Sequence, residues 1–158
     1  MFTIYLNVKF NIKGDLSLAI LRECTGKPSC EVEINLQLVT DESVDFEIHF
    51  RSGNSFPEIH SKLACLKRDF IRLLEDIKQI DNINLKILDF HDPGLCIYHI
   101  PEHERYDNEP RYKLIFVIDA GEKNHFISTD CGPALCLIVS MEQINEFANS
   151  LELELNNF

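Results

Sequence analysis

The chain is short of basic residues, and this deficit is the clearest signal in its composition. Of its 158 residues, 15 are Lys or Arg and 26 are Asp or Glu, which gives a formal net charge of −11 at pH 7. A surface that binds nucleic acid needs a cluster of cations to displace phosphate counterions, and an anionic membrane attracts the same cations. The composition therefore disfavours nucleic acid and membranes as partners and favours a basic protein.

The sequence also lacks a long apolar run. No stretch approaches the roughly 18 consecutive apolar residues that a membrane-spanning helix needs. The N-terminal segment MFTIYLNVKFNIKGD alternates apolar and polar side chains, whereas a secretory signal peptide places a basic segment ahead of a continuous apolar one. We therefore expect a cytoplasmic protein, in which the six cysteines remain free thiols.

Recognisable catalytic and cofactor-binding motifs are absent too. The sequence has no glycine-rich phosphate loop, no G-x-S-x-G elbow, no H-E-x-x-H pair and no C-x-x-C knuckle. We therefore predict no enzymatic activity, no cofactor and no metal. A small Cys/His metalloprotein or enzyme stays open as an alternative, because His91, Cys96, His99 and His103 lie within 13 residues. A strand over 95–100 would place Cys96 and His99 on opposite faces, which disfavours a shared metal ion.

Hydrophobic periodicity predicts an antiparallel sheet in the first third of the chain. Apolar and polar residues alternate over 2–10, 16–20, 31–39 and 44–51. Such alternation is typical of a sheet with one buried face and one wet face. We predict a four-stranded meander from these segments.

The hairpin formed by the last two of these strands has a predictable register. Both strands bury even-numbered residues, so opposite residues must have numbers with an even sum, and a loop from Val39 to Ser43 makes that sum 82. No like charges then face each other, so this face can be an ordinary solvent-exposed surface. The predicted pairs are Glu31 with Arg51, Glu33 with His49, Asn35 with Glu47 and Gln37 with Asp45.

The rest of the chain predicts two helices and four more strands. Ser55 and Glu58 match a capping box, and apolar residues recur at helical spacing from Ile59 to Ile77, over about 20 residues. A second capping box, Ser140 with Gln143, begins a C-terminal helix. The strands are predicted around 83–90 and over 95–100, 112–118 and 134–139, with the last two at the centre of the sheet.

The predicted fold class is therefore α+β. A mainly antiparallel sheet, made of the N-terminal meander and the later central strands, packs against one long helix and a C-terminal helix. No linker-like composition and no internal repeat divides the sequence, so we predict a single domain over residues 1–158.

The acidic residues are concentrated in three blocks, which indicate where a basic partner would bind. Residues 23–50, 89–109 and 124–158 carry net charges of −6, −5 and −5. The 89–109 block is rich in loops and mixes tyrosines with carboxylates, which together supply contact area and charge-assisted hydrogen bonds to Lys and Arg. The predicted partner-binding residues are Asp89, Asp92, Tyr98, Glu102, Glu104, Tyr106, Asp107 and Glu109. The second choice is the hairpin face with Glu31, Glu33, Asp45 and Glu47.

The order of these segments resembles that of bacterial toxin-immunity proteins, which protect a cell from contact-dependent growth inhibition or related polymorphic toxins. The resemblance covers roughly residues 30–155, in the segments HSKLACLKRDFIRLLEDI, LKILDFHDPGLCIYHI, YKLIFVIDAGEKNHFISTD and CLIVSMEQINEFANSLELEL. It implies tight stoichiometric binding to a cognate toxin domain, often a basic nuclease, with no catalytic residues in this chain. A general acidic interaction or assembly subunit without a toxin partner is the alternative.

Overall fold

Two four-stranded antiparallel sheets, two long helices and one short helix make up the described part of the chain. This architecture confirms the predicted α+β fold class. The predicted strand over 2–10 and the start of the strand over 16–20 lie outside the described residues. The computed structural model describes residues 19–25, 29–81, 83–89, 94–101, 110–123 and 131–158.

The first sheet is a four-stranded meander, but its last strand lies where the sequence predicted a helix. Its strands are hydrogen-bonded in chain order. Each strand pairs antiparallel with the next, so the sheet is built entirely from consecutive strands. The strands are β1 (Ala19–Arg22), β2 (Cys30–Val39), β3 (Ser43–Ser52) and β4 (Ile59–Leu66).

The predicted helix is wrong over the residues of β4, because their apolar pattern fits both the helical spacing of three to four residues and the strand spacing of two. Leu63 and Cys65 are buried, two residues apart, and lie opposite Phe46 and Val44. This spacing of two is the period of a strand with one buried face. Without β4, the edge of β3 would expose its unpaired backbone groups, so pairing with β3 decides in favour of a strand.

The first long helix, α1 (Lys67–Lys78), starts directly after β4 and keeps only the second half of the predicted helix. Leu66 precedes it without a side-chain cap. The predicted capping box is not formed, since the Glu58 carboxylate contacts His49 and Arg51 instead. The part of the apolar stripe that α1 retains is buried, namely Phe70, Leu73, Leu74 and Ile77.

The second sheet contains the strands of the second half of the chain. The predicted strands over 95–100, 112–118 and 134–139 are confirmed, and the one around 83–90 is shorter than predicted. The order in the sheet is that of the chain. Its elements are β5 (Lys86–Asp89), β6 (Leu95–Pro101), β7 (Tyr112–Ile118) and β8 (Ala134–Val139), with the short helix α2 (Ala120–Lys123) between the last two.

The strand β8 ends its sheet rather than lying at its centre, which corrects the prediction. It pairs with β7 on one side. On the other side it meets the turn after β1, where the Cys24 backbone N–H donates to Ile138 O at 2.9 Å. The Ile138 N–H in turn donates to Glu23 Oε2 at 2.6 Å. The apolar character of β8 therefore reflects its place between the two sheets.

The C-terminal helix α3 (Met141–Asn156) begins at the predicted capping box. The Gln143 backbone N–H donates to Ser140 Oγ at 3.2 Å, and the Ser140 N–H donates to Gln143 Oε1 at 3.0 Å. The helix packs against α1, β1 and β2. Its buried residues join those of α1 and of both sheets in one hydrophobic cluster, in which the Phe46 and Phe70 rings lie 5.7 Å apart.

The predicted hairpin register holds for three of its four pairs and then fails at a β-bulge. Opposite Arg51, His49 and Glu47 lie the predicted partners Glu31, Glu33 and Asn35, respectively. Beyond Leu36 the register shifts by one, because a bulge places an extra residue in β2. The correction concerns Asp45, which lies opposite Leu38 and not Gln37.

The bulge changes which side chains of β2 reach the wet face. Because Leu38 is opposite Asp45, it shares the wet face with that carboxylate and is 50 % exposed. The Leu36 N–H donates to Glu154 Oε1 of α3 at 3.3 Å, so the helix supplies an acceptor where the bulge begins. The tight turn after the bulge is held by Thr40 Oγ1, which accepts the N–H groups of Glu42 and Ser43.

Candidate functional site

The structure describes only part of the first-choice binding segment. Asp89 is the last residue of β5 and pairs with Cys96, and Tyr98 is a half-buried residue of β6 opposite Ile115. The second-choice residues are all described and lie on the wet face of the first sheet. The first-choice residues outside the described part of the chain are Asp92, Glu102, Glu104, Tyr106, Asp107 and Glu109.

Arg51 of β3 is the centre of an ion network on the wet face. Its Nη1 donates to Glu31 Oε1 at 2.9 Å and to Glu33 Oε2 at 2.5 Å, and its Nη2 lies 3.2 Å from Glu58 Oε1. The hydrogen bond to Glu33 raises the pKa of Arg51. Burial raises the pKa of Glu33, but hydrogen bonds from Asn35 and Arg51 outweigh it and bring that pKa below its ordinary value.

Two histidines extend this network toward β4. His49 Nδ1 lies 2.5 Å from Glu58 Oε1, and this hydrogen bond lowers the pKa of Glu58. His49 Nε2 is 3.8 Å from Glu47 Oε2, and His60 Nδ1 is 3.4 Å from Glu47 Oε1. The two imidazole rings are 5.7 Å apart. A continuous chain of ionisable groups therefore crosses the sheet from Arg51 to His60.

The carboxylates of the network, Glu31, Glu33, Glu47 and Glu58, are thus paired with basic side chains of the same chain. Arg22 of β1 adds a further pair, with its Nε 3.0 Å from Glu31 Oε2. Cross-strand ion pairs of this kind are the ordinary way to stabilise a wet sheet face. The contacts fit the interpretation of this face as a satisfied solvent surface. The sequence reveals the role of Arg51 through the register, whereas Glu58 and His60 were missed because a helix was predicted there.

Asp45 is the exception among the second-choice carboxylates. It lies between Leu38 and Ala64 in the register, at the end of the face away from Arg51. Within the described ranges it has no ion pair within 4.0 Å. Its surroundings on neighbouring strands are the exposed side chains of Leu38 and Ala64 rather than the network.

Replacing Arg51 by methionine is expected to lower the free energy of unfolding by about 2 kcal/mol at pH 7, because Glu33 is only 7 % exposed and would lose its cation. In the folded protein, pairing lowers the pKa of Glu33 from its ordinary 4.5. The stabilisation is therefore complete above pH 4.5 and is lost as pH falls through the folded pKa. Urea unfolding from pH 7 to pH 3 should show the difference between wild type and variant shrinking.

The matched control for that variant is Arg22→Met. Arg22 is the more exposed of the two arginines in the network, with 61 % of its side chain accessible, so its removal should change stability by less than about 1 kcal/mol. If the two variants lost equal free energy of unfolding, Arg51 would contribute no more to stability than the exposed Arg22.

The Cys/His alternative has its described residues in the second sheet. His99 is fully buried, with Nδ1 3.1 Å from Asn84 O, and this burial lowers its pKa. Cys96 is buried too, but it pairs with Val117 while His99 pairs with Leu114, so the two lie on opposite faces. In the described residues no group of three His, Cys, Asp or Glu side chains is placed to hold a metal ion. His91 and His103 lie outside those residues.

The comparisons with protein-family models, with curated proteins and with solved structures find no match to this chain. Among the described residues, no helix has the length and apolar character needed to cross a membrane. The site must therefore be interpreted from its own residues and charges.

Proposed function

We propose that the chain is a cytoplasmic immunity protein that binds a cognate toxin domain of basic, nuclease type and neutralises it by stoichiometric binding. The observation that supports this most is the location of the acidic residues that lie outside the Arg51 network. The four carboxylates of the Arg51 network all contact basic side chains of the chain itself, namely two arginines and two histidines. With histidine counted as neutral, the network contributes −2 to the net charge of −11, so most of the acidic excess lies elsewhere.

The acidic excess lies in segments with few cations of their own. The helix α3 has four glutamates and no Lys or Arg, and the 89–109 block has six acids and one base. Complementary charge speeds the encounter of two proteins, to rate constants on the order of 10⁸ M⁻¹s⁻¹ at low salt. Tyrosines beside carboxylates, as in the 89–109 block, then slow dissociation by burying contact area. Such a protein can occupy the basic cleft in which a nuclease holds its substrate.

Co-expression with the toxin encoded beside this chain should restore growth, and the purified proteins should form a complex with one copy of toxin per copy of this chain. The measurement is growth rescue followed by calorimetric titration. Failure to bind any neighbouring gene product would contradict the proposal. Specific binding to a partner that is not toxic would instead favour the general acidic interaction subunit.

Charge reversal tests the location of the binding site. Changing Asp92, Glu102, Glu104 and Asp107 to lysine together should weaken toxin binding by about 100-fold or more, because each lost charge-assisted contact contributes about 1 kcal/mol or more. The affinity of the variant should also depend less on salt concentration than that of the wild type. The readout is the dissociation constant measured at several salt concentrations.

A second quadruple variant carries the same change in net charge at other places. Its positions are exposed residues of the β2–β3 turn and of α3, namely Asp41, Glu42, Glu142 and Glu146, each changed to lysine. It should weaken binding only through long-range electrostatics, mainly by slowing association. If this variant lost as much affinity as the first, the assignment of the site to the 89–109 block would be wrong.

A further inference from the structure

Among the histidines that the structure describes, His99 of β6 alone is fully buried. Its Nδ1 lies 3.1 Å from the backbone oxygen of Asn84. A carbonyl oxygen can only accept a hydrogen bond, so Nδ1 carries the ring proton and donates it to Asn84 O. Nε2 is then the unprotonated nitrogen of a neutral imidazole.

The second ring nitrogen of His99 has no acceptor to which it could donate a second proton. Nε2 is buried, and in the described part of the chain no polar atom lies within hydrogen-bonding distance of it. On β7 the neighbours of the imidazole are Leu114, which is opposite in the register, and the ring of Tyr112, whose centre is 5.9 Å away. Protonation of Nε2 therefore buries both a positive charge and an unpaired N–H group, which destabilises the closed fold.

Among the described residues, two charged groups of opposite sign act on the imidazole. Asp81, in the segment before β5, favours its protonation, and Lys86, which lies opposite His99 in the register, opposes it. Burial has the largest influence and brings the pKa of His99 below its ordinary 6.5. Asp81 itself accepts the backbone N–H groups of Ile83 and Asn84, and these bonds lower its pKa to about 2. Asp81 therefore stays ionised in neutral and mildly acidic solution.

The strand β5, which lies beside His99, is held less firmly than the strands further inside the sheet. It has four residues, and within the described ranges it pairs only with β6. Leu88 of β5 belongs to the hydrophobic cluster, whereas Ile83, Leu85 and Ile87 are exposed already. Separation of residues 83–89 from β6 therefore exposes little further apolar surface and costs less free energy than unfolding of either sheet.

We propose that His99 is an acid-sensitive latch for residues 83–89: the neutral imidazole holds this segment through Asn84 O, and protonation of Nε2 releases it from β6. Opening admits water to the imidazole, which then binds a proton with its ordinary pKa of about 6.5. Proton binding therefore favours the open state. The latch is fully closed above pH 6.5, and its opening constant rises by up to about tenfold per pH unit below that, until the buried His99 is itself protonated.

Amide hydrogen exchange of the full chain between pH 5 and pH 8 tests the latch. After correction for the pH dependence of exchange in unstructured peptides, the protection of the β5 N–H groups should be constant above about pH 6.5 and fall by up to about tenfold per pH unit below it. The protection of the β2–β3 hairpin should not fall in this range.

Two variants separate His99 from the other titratable groups. His99→Asn keeps a neutral N–H donor near Asn84 O but cannot be protonated, so its β5 protection should not depend on pH. The control is His60→Asn, which removes an exposed histidine of β4 and should keep the dependence of the wild type. Protection of β5 that is independent of pH in the wild type, or that falls equally in His99→Asn, overturns the proposal.

Nitrogen-15 NMR of the imidazole gives a second test that does not depend on any variant. In neutral solution the wild-type spectrum should show the proton of His99 on Nδ1, and the titration midpoint of His99 should lie below about 6.5. A proton on Nε2, or a midpoint at or above that value, overturns the proposal even if His99→Asn fails to fold. The latch involves no partner, so it and the proposed function can fail separately.

Discussion

Replacing Phe70 by alanine is expected to lower the free energy of unfolding by about 3–5 kcal/mol, the range found when a large buried aromatic residue is truncated. Phe70 has no exposed surface, and its ring contacts that of Phe46 on the buried face of the first sheet. Removing the ring leaves a cavity between α1 and β3 and removes an aromatic pair. Urea or thermal unfolding of the purified variant measures the loss.

The adjacent residue offers the control for this variant. Ile71 belongs to the same turn of α1 but is exposed, so Ile71→Ala should change stability by less than about 1 kcal/mol. If the two variants lost the same stability, α1 would not pack on the sheet through Phe70.

Replacing Gly132 by alanine is expected to lower the free energy of unfolding by about 3 kcal/mol, at the upper end of what overpacking usually causes. A Cβ at this position would lie 1.9 Å from Ile118 O and 3.0 Å from Ala120 N. Both contacts are with backbone, which cannot rotate away as a side chain can. The flanking hydrogen bonds, Ile118 N–H to Pro133 O and Ala120 N–H to Cys131 O, hold the two segments together.

Thermal unfolding of Gly132→Ala, with Cys131→Ala as the neighbouring control, checks this expectation. Cys131 is exposed, so loss of its thiol should be nearly neutral. A Gly132→Ala variant as stable as the wild type would mean that residues 131–133 do not lie against the end of β7 as closely as described.

The second half of the fold is the part that the sequence predicts best. Strands β6, β7 and β8 are compact apolar runs with clear ends, and α3 has a capping box in which both reciprocal bonds form. Such signals are local, so they predict these elements without any knowledge of contacts with the rest of the chain. The place of β8 at the end of its sheet depends on contacts with Glu23 and Cys24 and is therefore not visible in its own residues.

The segment over 59–66 shows where local patterns are insufficient. Ile59, Leu63 and Leu66 are spaced like a helix stripe, while Leu63 and Cys65 are spaced like one face of a strand. Sheet pairing with β3 decides between them, and this decision involves residues outside the segment. The same error concealed two members of the ion network, Glu58 and His60, although parity and the length of the loop together gave the pairing of Arg51 with Glu31.

The β-bulge in β2 has a consequence for the order in which the chain can fold. The Leu36 N–H finds its acceptor in Glu154, which lies 118 residues further along the chain. During synthesis the residues of β2 and β3 are made long before this carboxylate. The Leu36 N–H can therefore reach its final acceptor only after α3 has been made and has docked on the sheet, so a hydrogen bond inside the second strand waits for the last helix of the chain.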